Sequence, residues 1–210
     1  MYRATLLILL TALAALFGIA AAAADDPLLK AAGGRYRIEP EDSRVAFYVS
    51  QIGGGPGIRG HFSDVRGSFV IDGRDLAHST VEIVIGTGSP ETGNERVDRF
   101  LRGGAVFYAD RFPEATFRST RVTRTGPDTA VIDGVLTARG VSERARFSAR
   151  LAERDRRRIR FEVAGELFRS RFGMSVGTPA YATRWCSIWI SSPRSSDRQC
   201  PAGADRPGAR

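Results

Sequence analysis

Side chains that could carry out catalysis or bind a metal are few in this sequence and widely spaced. His61 and His78 are the two histidines of the chain, and their separation does not match the spacing of metal ligands. His61 together with Asp64 would supply only half of a four-ligand site. No serine is predicted to lie in the sharp strand-to-helix turn of a nucleophile elbow. We therefore predict no catalytic residue, no metal and no other cofactor.

The remaining reactive or charged groups also favour a protein that is not an enzyme. Cys186 and Cys200 both lie in the last 25 residues, without a plausible base nearby, and a bridge between them would close only a loop in the tail. Asp98 lies beside Arg96 and Arg99 in a short amphipathic segment, where an ion pair that is solvated or that pins a loop is the expected role. We predict no structural role for the cysteines in the core.

Length and composition indicate one folded domain. The chain has 210 residues, of which 42% are hydrophobic, enough to build a core. Its net charge is +8, and Lys30 is the only lysine, so nearly all of the basic residues are arginine. These arginines are spread over outward strand positions and loops without interleaved aromatic residues, and we therefore expect no nucleic acid as a partner.

The N-terminus has the pattern of an export signal. Arg3 precedes an apolar run over residues 6–23, and the small residues 22–24 then lead into Asp25. We predict a signal peptide over residues 1–24, cleaved after Ala24, which would place the mature chain in a bacterial periplasm. An uncleaved anchor helix is the alternative, because eighteen apolar residues approach the length that spans a bilayer. Residues 25–34 are predicted to be a linker ending in Gly33 and Gly34.

From residue 36 onward the hydrophobic pattern is that of β-strands. The central stretch, residues 58–72, is predicted to be one long strand that Gly60 and Gly67 allow to bend or to approach another backbone closely. Apolar residues alternate with polar ones in the neighbouring segments, which predicts half-buried strands. The other predicted strands cover residues 36–38, 44–50, 80–85, 115–123, 130–138, 143–152 and 158–168. Regular short strands favour a closed antiparallel barrel or a sandwich.

One short helix is predicted to interrupt the strands, over about residues 93–102. Thr92 and Glu95 have the spacing of a capping box, Val97 and Leu101 share a face, and Gly103 can end the helix.

The densest run of charge is Arg156, Arg157 and Arg158, in the turn between two predicted strands. Such a run is either a solvated turn or a cationic rim. In the second case it would attract an anionic head group or the surface of an anionic membrane.

The C-terminal residues 182–210 do not continue the pattern. Both tryptophans and both cysteines lie there, followed by a mixture of Pro, Ser, Arg and Gly without periodicity. One permitted coding of residues 182–193, read two bases later, gives a strand of alternating acidic and apolar residues. We therefore predict a frameshift near Tyr181. If the tail is made as written, Trp185, Ile188 and Ile190 could still form a poorer last strand.

Three local patterns in the chain resemble the YceI family of secreted, lipocalin-like proteins, over about residues 35–177. The first pattern consists of Ser43, Val45, Phe47, Val49, Gly60, Phe62, Gly67 and Phe69. The second consists of Thr92, Gly93, Asn94, Arg96, Asp98, Leu101, Phe107, Pro113, Ala115, Phe117 and Ser119. The third consists of Gly134, Leu136, Thr137, Gly140, Arg171, Phe172, Gly173 and Met174.

This resemblance implies an all-β fold, an eight-stranded antiparallel lipocalin-like barrel with one short helix, over residues 35–181. It also implies non-catalytic binding or transport of an isoprenoid or similar long-chain lipid. Strand alternation predicts which side chains face the bore, although it does not distinguish a hollow bore from a filled one. The predicted ligand-binding residues are Val45, Phe47, Val49, Phe69, Val81, Ile83, Ile85, Phe117, Leu136, Phe147, Phe161 and Val163.

Two other functions stay open at this point. The first is an enzyme or redox component that acts on a quinone-like lipid, and the second is a filled barrel that serves as an interaction module. A homodimer also stays open, since the sequence does not decide the oligomeric state.

Overall fold

The structure is a computed structural model that describes residues 27–38, 40, 43–154, 159–178, 180–182 and 184–191. The predicted signal peptide, the run from Arg156 to Arg158 and Cys200 lie outside the described residues. Neither of the α-helices in the described part of the chain has the length and apolarity needed to span a bilayer.

Eleven strands within the described residues form a single antiparallel sheet. They are β1 (Gly34–Arg37), β2 (Ser43–Val49), β3 (Ile58–Phe62), β4 (Val65–Ile71), β5 (Thr80–Gly86), β6 (Pro90–Glu91), β7 (Glu114–Arg124), β8 (Thr129–Ala138), β9 (Val141–Arg154), β10 (Ile159–Phe168) and β11 (Arg184–Ser191). Their order across the sheet is β1-β4-β5-β7-β8-β9-β10-β11-β2-β3-β6. Nearly all long strands therefore pair with strands that are adjacent in sequence, as in a meander.

The predicted long strand is present but broken at Ser63 and Asp64. Its first half, β3, pairs with β2, and its second half, β4, pairs with β5 at the opposite end of the sheet order. One bent strand therefore joins the two ends of the sheet and makes it curl on itself. Counting β3 and β4 as one strand and leaving out the short β1 and β6 gives eight strands, which confirms the predicted lipocalin-like fold class.

Gly67 illustrates why the bent strand needs glycine. Its φ is +152°, and a Cβ atom at this position would lie 2.2 Å from the backbone oxygen of Glu82 on β5. A side chain would therefore push β4 away from β5. Gly60 on β3 is similar, because its Cβ would lie 2.7 Å from the backbone oxygen of Glu91. The sequence argument for close backbone approach at these two glycines agrees with the structure.

The last strand, β11, comes from the part of the chain that breaks the sequence pattern. On one side its backbone pairs with β10, over residues 162–168. On the other side it pairs with β2, over residues 43–48. Residues 184–191 therefore occupy the place where the last strand of the curled sheet is needed. The frameshift itself stays a prediction, and the side chains of β11 lie outside the described residues.

Residues 27–32, which the sequence assigned to a linker, form the short helix α1 (Pro27–Ala32). Ala32 is buried, and the hydroxyl of Tyr36 donates a hydrogen bond to its backbone oxygen at 2.9 Å. The side chain of Arg154 on β9 also donates to the backbone oxygen of Ala31. These contacts hold the helix against the sheet. Its sequence carries end signals that the linker prediction did not use, because Pro27 suits the first helical position, Lys30 lies in the last turn and Gly33 follows the last residue.

The predicted helix is α2 (Glu95–Arg102), and its cap differs from the expected one. The side chain of Asn94 caps the first turn, accepting hydrogen bonds from two backbone N–H groups at 3.0 and 3.3 Å. The capping box predicted for Thr92 was therefore wrong by two residues. Thr92 instead holds Asp98, to which it donates both its hydroxyl hydrogen at 2.6 Å and its backbone N–H at 2.8 Å. Arg99 pairs with Glu95 at 2.8 Å rather than with Asp98.

Candidate ligand cavity

A cavity of about 180 Å³ occupies one half of the curled sheet and opens at one end. That end, here called the mouth, is formed by α1, the 3₁₀ turn Leu76–His78 and the turn between β7 and β8. Its wall consists almost entirely of apolar side chains from the inward faces of the strands. A site of this kind can hold an apolar molecule by burial, which contributes roughly 25 cal/mol per Å² of apolar surface.

Half of the predicted ligand-binding residues line this cavity. These six residues are Val45, Phe69, Val81, Ile83, Phe161 and Val163. They come from four different strands, so the curl of the sheet brings together residues that are more than one hundred positions apart. Contact of these residues with a ligand stays a prediction.

The other six predicted residues face the same bore but lie deeper, outside the cavity lining. They are Phe47, Val49, Ile85, Phe117, Leu136 and Phe147, all of which are buried. In this half the bore is filled by packed rings: the centroids of Phe117 and Phe147 are 5.0 Å apart and their planes are nearly perpendicular. The barrel is therefore hollow toward the mouth and filled at the other end, here called the floor.

Side-chain size explains why one half is hollow. Ala130 on β8 and Ala149 on β9 are direct partners in the sheet, and both line the cavity. Two facing alanines leave space that larger side chains would occupy. In the filled half, by contrast, Phe147 lies against Gly165 and Phe117 against Gly134, where a Cβ atom would come within 2.6 Å of each ring. Alternation alone did not reveal which half of the bore is hollow. The positions of alanine and glycine within the strands could have revealed it.

Several lining residues were missed by the sequence analysis. Leu29 and Ala32 of α1 and Leu76 of the 3₁₀ turn all line the cavity near its mouth. Leu76 and Leu29 lie outside the regular strands, where a search for alternating residues does not reach. Ala130 was missed because it is small, although it lies in phase with Ile132 on β8.

One ring stack and several hydrogen bonds hold the residues around the mouth in place. The ring of Tyr36 on β1 stacks on Phe69 with centroids 5.0 Å apart, which connects β1 to the cavity wall. Ser79, a lining residue, accepts a hydrogen bond from the backbone N–H of Asp72 at 2.9 Å. The guanidinium of Arg124 donates hydrogen bonds to the backbone oxygens of Gly126, at 2.8 Å, and Pro127, at 3.1 Å. These contacts shape the entrance.

His61 lies away from the cavity, on β3. Its Nε2 is 3.5 Å from a carboxylate oxygen of Glu91, which is its direct partner on β6. In the described part of the chain, no group of three or more His, Cys, Asp or Glu side chains is arranged to hold a metal ion. The half site suggested by His61 and Asp64 in the sequence is therefore not completed by other described residues.

Comparison with known proteins identifies relatives of this domain. The model of a family described as the YceI-like domain matches residues 36–189. A UPF0312 protein from Yersinia pestis (strain Pestoides F) is 34% identical over 118 residues, which are 55% of this chain and 60% of the relative. The matched part of the chain thus spans about 60% of the length of such curated relatives.

Solved structures share the fold at low sequence identity. BcnA from Burkholderia cenocepacia is 20% identical, with a TM-score of 0.67 over 73% of this chain and 97% of that protein. A polyisoprenoid binding domain from Saccharophagus degradans is 14% identical, with a TM-score of 0.57 over 77% of this chain and 99% of that domain. Both align over nearly their full length, so the curled sheet of this chain resembles their complete fold.

Proposed function

Because the chain belongs to the YceI-like domain family, we propose that it binds an isoprenoid or similar long-chain lipid in its cavity, without catalysis, after export to the periplasm. The observation that carries the proposal is the apolar lining of the cavity, which extends from Val163 near mid-bore to Leu29 at the mouth. A lipid tail in this space would lose its contact with water and would be held without directional bonds.

Three further points support this proposal. The cavity is lined by strand faces that the alternation of apolar residues predicted to point inward, including six of the twelve predicted ligand-binding residues. The solved polyisoprenoid binding domain has the same fold. The N-terminal sequence has the pattern of a cleavable export signal, consistent with a carrier that works outside the cytoplasm.

Mass spectrometry of the bound lipid is the direct test. The full chain is produced with its N-terminal segment in a bacterium, purified without detergent and extracted with organic solvent. We expect a lipid with a long apolar tail in the extract, near one molecule per protein. An extract without lipid, combined with no binding of a fluorescent apolar dye, would support the filled module instead. Chemical conversion of an added quinone-like lipid would support the enzyme.

A variant that fills the cavity makes the test specific. Replacing both Ala130 and Ala149 by leucine places new side chains in the space between two paired wall positions. We expect the bound lipid to be lost while the fold is kept, because the new atoms enter empty space. Ala152→Leu is the matched control, since Ala152 is exposed on the same strand. Equal lipid content in the filled variant and in the control would contradict the proposal.

A further inference from the structure

We infer that three phenylalanine rings, Phe47, Phe117 and Phe147, form the floor of the cavity and set the length of apolar chain that it accepts. The inference rests on the proposed function, because it concerns the size of the ligand in the same cavity. It adds a specificity that neither the fold nor the family comparison assigns.

The first argument is the sharp boundary of the cavity along the strands. On β9, Leu151 and Ala149 line the cavity, whereas Phe147, the next inward residue, does not. On β2 the boundary falls in the same way between Val45 and Phe47. On each of these strands, one inward residue lines the cavity and the next inward residue, two positions along, fills the bore. This is expected where a floor crosses the bore.

The second argument is that the floor has no room to yield. Phe117 and Phe147 are each 2% exposed and Phe47 is 3% exposed. The ring of Phe47 packs on Phe62, with centroids 5.3 Å apart, and Phe62 packs on Phe107 at 5.2 Å. Rings in such contacts cannot move aside without opening voids, because protein interiors are close-packed. A chain that enters from the mouth therefore stops at this layer.

The third argument is the capacity of the space above the floor. A cavity of about 180 Å³ is many times larger than the roughly 10–15 Å³ that a single water-sized group needs. We therefore expect a chain of only a few five-carbon isoprene units to fill it. Any further units would extend through the mouth into water, where they gain little from burial.

The experiment measures affinity against chain length for the purified full-length protein. Geraniol, farnesol, geranylgeraniol and hexaprenol, with two, three, four and six isoprene units, displace the fluorescent apolar dye N-phenyl-1-naphthylamine. For the unmodified chain we expect affinity to rise at least about tenfold from geraniol to farnesol, because one more unit is buried. From farnesol to hexaprenol we expect a change of less than about threefold.

Two variants move the floor in opposite directions. Phe147→Leu deepens the cavity, and we expect geranylgeraniol to bind at least about fivefold more tightly than farnesol. Ala149→Leu raises the floor, and we expect farnesol to lose its advantage over geraniol. Phe168→Leu is the control, because Phe168 is exposed on β10, and its length profile should match that of the unmodified chain.

The outcomes separate this inference from the proposed function. If no prenol displaces the dye and the dye itself does not bind, the proposed function fails. If prenols bind but affinity continues to rise up to hexaprenol in the unmodified chain, the floor does not limit length and the inference is wrong. Should Phe147→Leu not fold, Ala149→Leu decides alone, and an unchanged preference for farnesol in that variant overturns the inference.

Discussion

Phe147 on β9 and Gly165 on β10 are direct partners in the sheet, and the phenyl ring lies over the glycine. A Cβ atom on Gly165 would be 2.3 Å from Cδ1 of Phe147 and 3.0 Å from the backbone oxygen of Arg146. The glycine therefore provides the space in which the ring is buried. A glycine on one strand paired with a phenylalanine on the next is thus how the filled half of the barrel is packed.

Gly165→Ala is accordingly expected to destabilise the fold. The added methyl group forces the ring of Phe147 or the backbone of β9 to move, and such overpacking costs typically 1–3 kcal/mol. Urea unfolding followed by circular dichroism measures the change. Gly88→Ala is the control, because a Cβ atom there meets nothing within 4 Å. A Gly165→Ala protein as stable as the Gly88→Ala protein would contradict the proposed role of the glycine.

Truncating a ring should cost more in the filled half than beside the cavity. Phe117 is 2% exposed and surrounded by packed groups, so we expect Phe117→Ala to lower the free energy of unfolding by about 3–5 kcal/mol. Phe161 lines the cavity and already has empty space on one side. We expect Phe161→Ala to cost about half as much, because fewer contacts are lost. Equal losses in urea unfolding would mean that the two halves are packed alike.

Arg169 anchors the segment between β10 and β11. It is 5% exposed, and its guanidinium donates to the backbone oxygens of Ala182 at 2.9 Å, Met174 at 2.5 Å, Val176 at 2.7 Å and Tyr181 at 3.2 Å. Burial lowers the pKa of Arg169, because the charged form is desolvated. Only a planar group with several donors can satisfy four separate carbonyls.

Arg169→Lys should therefore lower the free energy of unfolding by about 2–4 kcal/mol, although it keeps the charge. Thermal and urea unfolding provide the measurement. Arg171→Lys serves for comparison, because the side chain of Arg171 is 58% exposed, and we expect a change within about 0.5 kcal/mol. If lysine were tolerated equally at both positions, the four hydrogen bonds would not stabilise the segment.

The turn before β5 should make stability depend on pH. The pKa of Asp72 is lowered by hydrogen bonds from the backbone N–H groups of Arg74 at 2.8 Å and Asp75 at 3.0 Å. These bonds favour the charged carboxylate in the folded state. The resulting stabilisation is fully present above the ordinary pKa of aspartate and is lost as the pH falls through the lowered folded value.

We therefore expect the difference in melting temperature between the unmodified chain and Asp72→Asn to be constant near neutral pH and to shrink in acid. Thermal unfolding at several values from roughly pH 2 to 7 measures this difference. Asp110→Asn, at an exposed position in the loop after α2, is the reference. A difference for Asp72→Asn that grows toward low pH would have the wrong sign and would refute the assignment.

The alternation of apolar residues determined much of this protein without any knowledge of tertiary contacts. Val45, Phe47 and Val49, or Ala145, Phe147 and Ala149, must lie on one face because successive side chains of a strand point to opposite sides. The strand positions, the inward faces and the all-β class could therefore be predicted, whereas the choice of a barrel over a sandwich came from the resemblance to the YceI family. The amphipathic pattern of α2 likewise predicted the helix, although the cap proved to be Asn94 rather than Thr92.

Only the tertiary structure decided where the bore is hollow. Periodicity assigns Phe47 and Val45 to the same face, but whether space remains beside them depends on residues from distant strands, such as Ala130 and Ala149. The same holds for α1, which folds over the mouth through contacts with Tyr36 and Arg154 and is too short, at 6 residues, to show a helical period in the sequence. The local sequence pattern determines to which side of the sheet each side chain points. The empty volume of the bore depends instead on which side chains meet across the barrel.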